Sequence, residues 1–191
     1  MIAQLRGKII EKNPTDLVIE CGGVGYELRV SLNTSSEIDE EKECVLFTQL
    51  IVREDAQILY GFLDKEERTM FNHLISVSGV GPNTAILMLS ALRPAEIARA
   101  IQSEDLATIK KIKGIGAKTA ERLVVDLKDK VTKLGFSENN LSAKNNTTKF
   151  EALTALVSLG FDRKSVEKVL DTINLDDATV ETLIREGLKK L

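Results

Sequence analysis

Two short glycine-bracketed turns, Gly79-Val80-Gly81-Pro82 and Gly114-Ile115-Gly116-Ala117, stand 35 positions apart, and each leads into a helix-forming run. Those runs are Asn83-Thr84-Ala85-Ile86-Leu87 and Lys118-Thr119-Ala120-Glu121-Arg122-Leu123. Such punctuation confines the middle of the chain to short helices joined by tight bends. A hydrophobic-glycine turn between helices also lets backbone N–H groups approach an anion with no Cβ in the way, while the positive end of the following helix faces it. Repeated twice, the device suits a nucleic-acid backbone gripped without reading bases. The candidate backbone-binding residues are Gly79, Val80, Gly81 and Asn83 in the first unit. In the second they are Gly114, Ile115, Gly116, Lys118, Thr119 and Arg122. Lys118 adds charge and Thr119 a hydroxyl donor, whereas Asn83 donates without charge, so the second unit is expected to bind more strongly.

A formal net charge of −3 argues, taken alone, against a polyanionic partner. The charge is unevenly spread. Residues 1–63 carry 6 Lys+Arg against 11 Asp+Glu, residues 64–133 carry 12 against 9, and residues 134–191 carry 8 against 9. Within the basic middle, Leu106 to Lys133 has 8 basic and 3 acidic residues and contains the second glycine turn, so charge and turn coincide.

The first 63 residues alternate like strands: Ile2 to Glu11, Leu17 to Cys21, Tyr26 to Leu32, Cys44 to Val52 and Gln57 to Phe62. Five short strands at this size suggest an OB-fold barrel. Its rings, Tyr26, Phe47, Tyr60 and Phe62, read as core. In the helical middle (64–135), Asp64-Lys65-Glu66-Glu67 fits a capping box and Pro94 a first helical position. Ser103 is expected to cap a further helix, and Ala120, Leu123, Leu127, Val131 and Leu134 form the apolar stripe of a longer one. Residues 136–148 are polar and read as a flexible tether. Beyond them, 149–191 holds three amphipathic runs, a small unit better suited to docking a protein than to chemistry. The fold class is therefore α+β and multidomain.

Glu54-Asp55 lies between the last two strand-like runs, so two carboxylates project from a hairpin tip with Arg53 beside them. Turn chemistry alone explains an Asp there; a second reading is that an acidic tip beside DNA repels phosphates and keeps strands apart. Gly22-Gly23-Val24-Gly25 runs into a strand, which makes it a hairpin turn and not a dinucleotide loop. There is no Walker A sequence, no paired histidine motif and no Cys/His cluster, and Cys21 and Cys44 lack a CxxC spacing. The lone His73 reads as a packing or surface residue. No catalytic residue, metal or cofactor is expected, and ATP-driven work would come from a partner. No apolar run approaches the roughly 20 residues a membrane span needs, so a cytoplasmic location is expected.

Over its whole length the chain resembles the RuvA family, Holliday-junction-binding subunits of the bacterial branch-migration complex. The resemblance rests on Met1-Ile2 to Gly7, Gly22 to Glu27, Val52 to Phe62, and the two glycine turns, the second running on to Leu123. It implies an OB barrel, a domain of two helix-hairpin-helix motifs, a mobile tether and a small three-helix, UBA-like domain that contacts the hexameric RuvB ATPase. It implies further a four-fold homotetramer on Holliday junction DNA, with one tetramer or two per junction left open, and RuvC resolvase as a further partner. Under the resemblance Glu54 and Asp55 form an acidic pin at the crossover. Two departures stand out: relatives often carry lysine at the place of Asn83 and a basic residue at that of Ala117. Two other classes compete. Helix-hairpin-helix domains also occur in DNA glycosylases and nucleases, but this chain has no Trp and 4% aromatics with which to line a base pocket. A pure protein adaptor leaves the basic 106–133 stretch without a purpose.

Overall fold

A computed structural model of the chain describes residues 1–39, 42–134, 152–172 and 179–190. The expected tether, 136–148, lies outside them. The chain divides into two compact units, Met1–Phe136 and Ser137–Leu191.

Unit one opens with a closed five-stranded barrel: β1 (Gln4–Lys12), β2 (Asp16–Cys21), β3 (Val24–Arg29), β4 (Glu43–Val52) and β5 (Gln57–Phe62), in the order β1-β2-β3-β5-β4. Alternation along β1 turns Leu5, Gly7 and Ile9 inward, where they meet Leu17, Ile19, Leu28, Leu46 and Leu59. At Gly7 an added Cβ would lie 1.8 Å from the Glu20 carbonyl oxygen, so β1 and β2 approach as they do only because that position lacks a side chain. The Gly22-Gly23 turn joins β2 to β3 with φ of +59° and +85°, the left-handed pair a two-residue hairpin requires. Closure comes from β3 meeting β5 in parallel, with Arg29 opposite Tyr60.

One expected strand is shorter than its apolar pattern suggests. Tyr26 to Leu32 stops at Arg29, and Ser31 caps a short helix, α1 (Leu32–Glu37), by accepting from Thr34 N–H. The local choice is set by the hydroxyl of Ser31, which satisfies a helix-start amide that a strand would leave to a neighbour.

The helical part follows as α2 (Lys65–Ile75), α3 (Pro82–Ala91), α4 (Pro94–Gln102), α5 (Leu106–Lys110) and α6 (Ala117–Leu134). Asp64 caps α2 by accepting from Glu67 N–H at 2.6 Å. The return half of the expected capping box is missing, because the Glu67 carboxylate turns instead to the hydroxyls of Ser31 and Thr34, where it is buried. Ser103 does not cap α5; it ends α4, and the cap is Asp105, which accepts from Thr108 N–H at 3.1 Å and from its hydroxyl at 2.6 Å. A carboxylate is the stronger acceptor at a helix start, and Glu104 takes the left-handed φ of +55° needed to fit both caps in three residues.

Pro94 does open α4, and Ala120, Leu123, Leu127 and Val131 of α6 are fully buried. The helical core does not stop at the barrel. Tyr60 and Phe62 of β5 lie in it, each with its ring centroid 5.0 Å from that of Phe71. These aromatic contacts, with the Glu67 hydroxyl bonds, fix the angle at which the helices leave the barrel.

In unit two, helix α7 covers 152–158, α8 is Arg163–Asp171 and α9 is Val180–Lys190. Asp162 caps α8 through Ser165 N–H, and Gly160 takes φ +100° after α7. Leu153, Leu156, Val166, Leu170 and Leu183 make its core. Gly187 lets α9 approach Leu156 where a Cβ would sit 2.9 Å from its side chain. Among the described residues, no helix is long and apolar enough to cross a membrane.

Candidate nucleic-acid interface

The two glycine turns are built alike, bond for bond. In the first, Val80 N–H donates to Val77 O at 3.0 Å and Ala85 N–H to Gly81 O at 3.0 Å; in the second, Ile115 N–H donates to Ile112 O at 3.1 Å and Ala120 N–H to Gly116 O at 3.0 Å. Gly79 and Gly114 share φ +92°, and Val80 and Ile115 are both buried as plugs. An offset of 35 residues therefore relates the two units in structure as well as in sequence.

They also interlock reciprocally. A Cβ at Gly79 would come within 3.6 Å of Thr119 Oγ1, and one at Gly114 within 3.9 Å of Thr84 Oγ1, so each turn rests against the first turn of the other unit's helix. Arg122 of α6 reaches across to donate to Ser78 O at 3.4 Å. The paired hairpins pack directly against each other.

This geometry sorts the sequence candidates. Val80 and Ile115 anchor the turns: their side chains are in the core and their N–H groups point inward, so they have no amide to offer a ligand. Gly81 and Gly116 are exposed, a Cβ at either would meet nothing within 4 Å, and among the described residues no backbone bond of the turn engages their N–H groups. Lys118 and Arg122 are exposed, while Thr119 is half-buried against Gly79. The exposed amides at the start of α3 and α6, with helix dipoles behind them, are groups chemically able to hold an anion.

Asn83 is held by residues the sequence gives no local reason to pair with it. Its Oδ1 accepts from Arg29 Nη1 and from the Tyr60 hydroxyl, each at 3.2 Å, linking the start of α3 to the barrel across 54 positions of chain. Burial pushes the Tyr60 phenol up, against the pull of the Arg29 and Arg53 charges. A barrel cation, Arg29, therefore stands beside the first hairpin.

Arg53, Glu54 and Asp55 are exposed on the β4–β5 hairpin, where Arg53 N–H donates to Ala56 O at 2.8 Å and closes the tip. The two carboxylates protrude where the sequence places them. Elsewhere the chemistry is quiet. Cys21 and Cys44 are free and half-buried, and burial pushes the Cys44 thiol up. His73 is half-buried, and burial, with the Lys130 charge, pushes its imidazole down. Among the described residues no group of three or more His, Cys, Asp or Glu could hold a metal ion.

Comparison with known proteins finds three family models along the chain. The RuvA N-terminal domain model matches residues 1–61, a SAM-like tandem helix-hairpin-helix model matches 71–129, and the RuvA C-terminal domain model matches 151–191. Curated relatives named Holliday junction branch migration complex subunit RuvA are similar from end to end. The one from Christiangramia forsetii is 51% identical, that from Flavobacterium psychrophilum 50% and that from Bacteroides thetaiotaomicron 45%, each over 100% of both chains. With family models matched at both ends and relatives about half identical over their full length, the chain belongs to the RuvA family.

Proposed function

We propose that this protein is a non-catalytic scaffold that binds four-way junction DNA by shape and holds its arms open and square-planar for a partner motor. The supporting observation is the doubled hairpin: two equivalent turns, each presenting an exposed glycine amide at a helix start, locked into one element with Lys118 and Arg122 alongside. The backbone amides of Gly79, Gly81, Gly114 and Gly116, with Asn83, Lys118, Thr119 and Arg122, contact phosphates and read no bases. The relatives' name supplies the junction as the target.

Four copies around a four-fold axis would match the symmetry of a four-armed DNA and add eight weak hairpin contacts by effective concentration. The tip carboxylates of Glu54 and Asp55 then sit at the crossover and keep separated strands from re-pairing, with Arg53 touching the backbone beside them. Residues 1–63 and 64–135 act together on DNA, 136–148 serve as tether, and 149–191 dock the RuvB ATPase, which alone uses ATP. RuvC resolvase is a further partner of the assembly, which works in the cytoplasm in recombination and repair.

Incubating the purified protein with labelled junction and with linear duplex of equal length tests the reading. Selective retention of the uncleaved junction is expected. Incision would make the protein a nuclease instead, and no retention of either DNA would leave a protein adaptor.

A further inference from the structure

We propose that Arg29 is a phosphate-binding residue of the first hairpin, a cation supplied by the barrel and held in place by Asn83 for a DNA phosphate between that hairpin and the acidic tip. The inference rests on the scaffold reading above and extends it to a residue far from either glycine turn.

The first turn of α3 contains no basic residue, whereas α6 has Lys118 as its second residue and Arg122 one turn on. Judged along the chain, the first hairpin has only neutral donors. In the fold the deficit disappears. The parallel closing pair of the barrel sets Arg29 beside Tyr60, and Asn83, the second residue of α3, receives the Arg29 guanidinium and the Tyr60 hydroxyl on a single oxygen. Because arginine only donates, that contact fixes Asn83 Oδ1 toward the barrel and leaves its Nδ2 donors for a ligand.

The nature of the partner matters. A carboxylate at position 83 would orient Arg29 and neutralise it; an amide oxygen orients it and leaves the charge intact. Among the described residues Arg29 takes part in no ion pair, and it is exposed. Its guanidinium keeps further N–H donors in the planar fork that suits phosphate. Arg29 is paired with Tyr60 of β5, the strand that leads out of the acidic tip, and its guanidinium reaches Asn83 at the start of α3. A strand leaving the crossover toward the first hairpin would pass this cation.

The test measures junction affinity of the full-length protein against KCl concentration for wild type, R29Q, R29Q/N83K and K118A, with thermal melting in parallel. Loss of one neutralised phosphate lowers the log–log slope by about 0.9 per bound chain, so R29Q should show that loss and R29Q/N83K should recover it from the α3 side. R29Q binding with the wild-type slope, whatever its melting temperature, overturns the proposal. K118A keeps the two readings apart. If K118A weakens binding and R29Q leaves the slope unchanged, only the role of Arg29 fails; if K118A also binds as wild type, the hairpin reading fails with it. Should R29Q not fold at the assay temperature, single neutral methylphosphonates are scanned along the junction against wild type and R29K. A linkage whose neutralisation weakens wild type more than R29K supports the assignment, and identical profiles overturn it.

Discussion

At the scale of single residues, the four glycines of the hairpins do two different jobs. Gly79 and Gly114, at φ +92°, make the bend; Gly81 and Gly116 keep the surface bare, with open space where a Cβ would be. Substitution should separate these roles. Gly114→Ala forces an L-residue into the left-handed region and is expected to destabilise the fold by about 1–2 kcal/mol, read as a lower denaturant midpoint. Gly116→Val should melt close to wild type yet bind every junction sequence about tenfold more weakly, a loss of about 1.4 kcal/mol. A loss confined to some sequences would mean that bases are being read. Both pairs of glycines were visible in the chain, but their division of labour was not, because it depends on φ and on what lies beside each Cα. The same holds for Val80 and Ile115, whose amides turn inward, and for Arg29, whose partner is 54 residues away.

Among the elements, the junction of barrel and helices is the least legible part and the most informative. Periodicity marks β5 and α2 well, and their aromatic residues as core. It gives no hint that Ser31 would stop a strand, start α1 and join Thr34 in holding the buried carboxylate of Glu67. Burial raises Glu67 above its ordinary value of 4.5, more than the hydroxyl bonds lower it. A carboxyl raised in the folded state favours folding most when protonated, so its contribution is complete below that ordinary value and is lost as pH climbs through the raised one. Glu67→Gln should therefore gain stability relative to wild type as pH rises from about 4 toward 8, measured as the difference between the two melting temperatures; a difference flat with pH would contradict the burial argument. The β4–β5 hairpin has its own test. Glu54→Gln with Asp55→Asn should bind the junction as tightly as wild type or more so, because two charges facing phosphates are gone, while altering how readily the crossover opens, followed by fluorescent base analogues at the branch point. Markedly weaker binding would contradict the role of the tip.

For the whole molecule, the barrel with its helices and the C-terminal helices are separate compact units, each with its own core. The amphipathic runs beyond 149 announced the helices of the second unit. Val157, Leu159 and Leu188 are exposed on that unit. Removing residues 136–191 should leave junction affinity within about twofold and abolish stimulation of the motor, followed as ATP-driven branch migration. Migration at the full-length rate would refute docking through that unit.

The central claim is that bare main-chain amides at two equivalent bends hold DNA phosphates. Titrating unlabelled junction into protein carrying ¹⁵N-glycine and following the amide signals of Gly79, Gly81, Gly114 and Gly116 measures it directly. The Gly81 and Gly116 signals should shift together and saturate at the binding stoichiometry, while that of Gly23, at the distant β2–β3 turn, stays in place. Saturated binding with Gly81 and Gly116 unmoved would contradict the account.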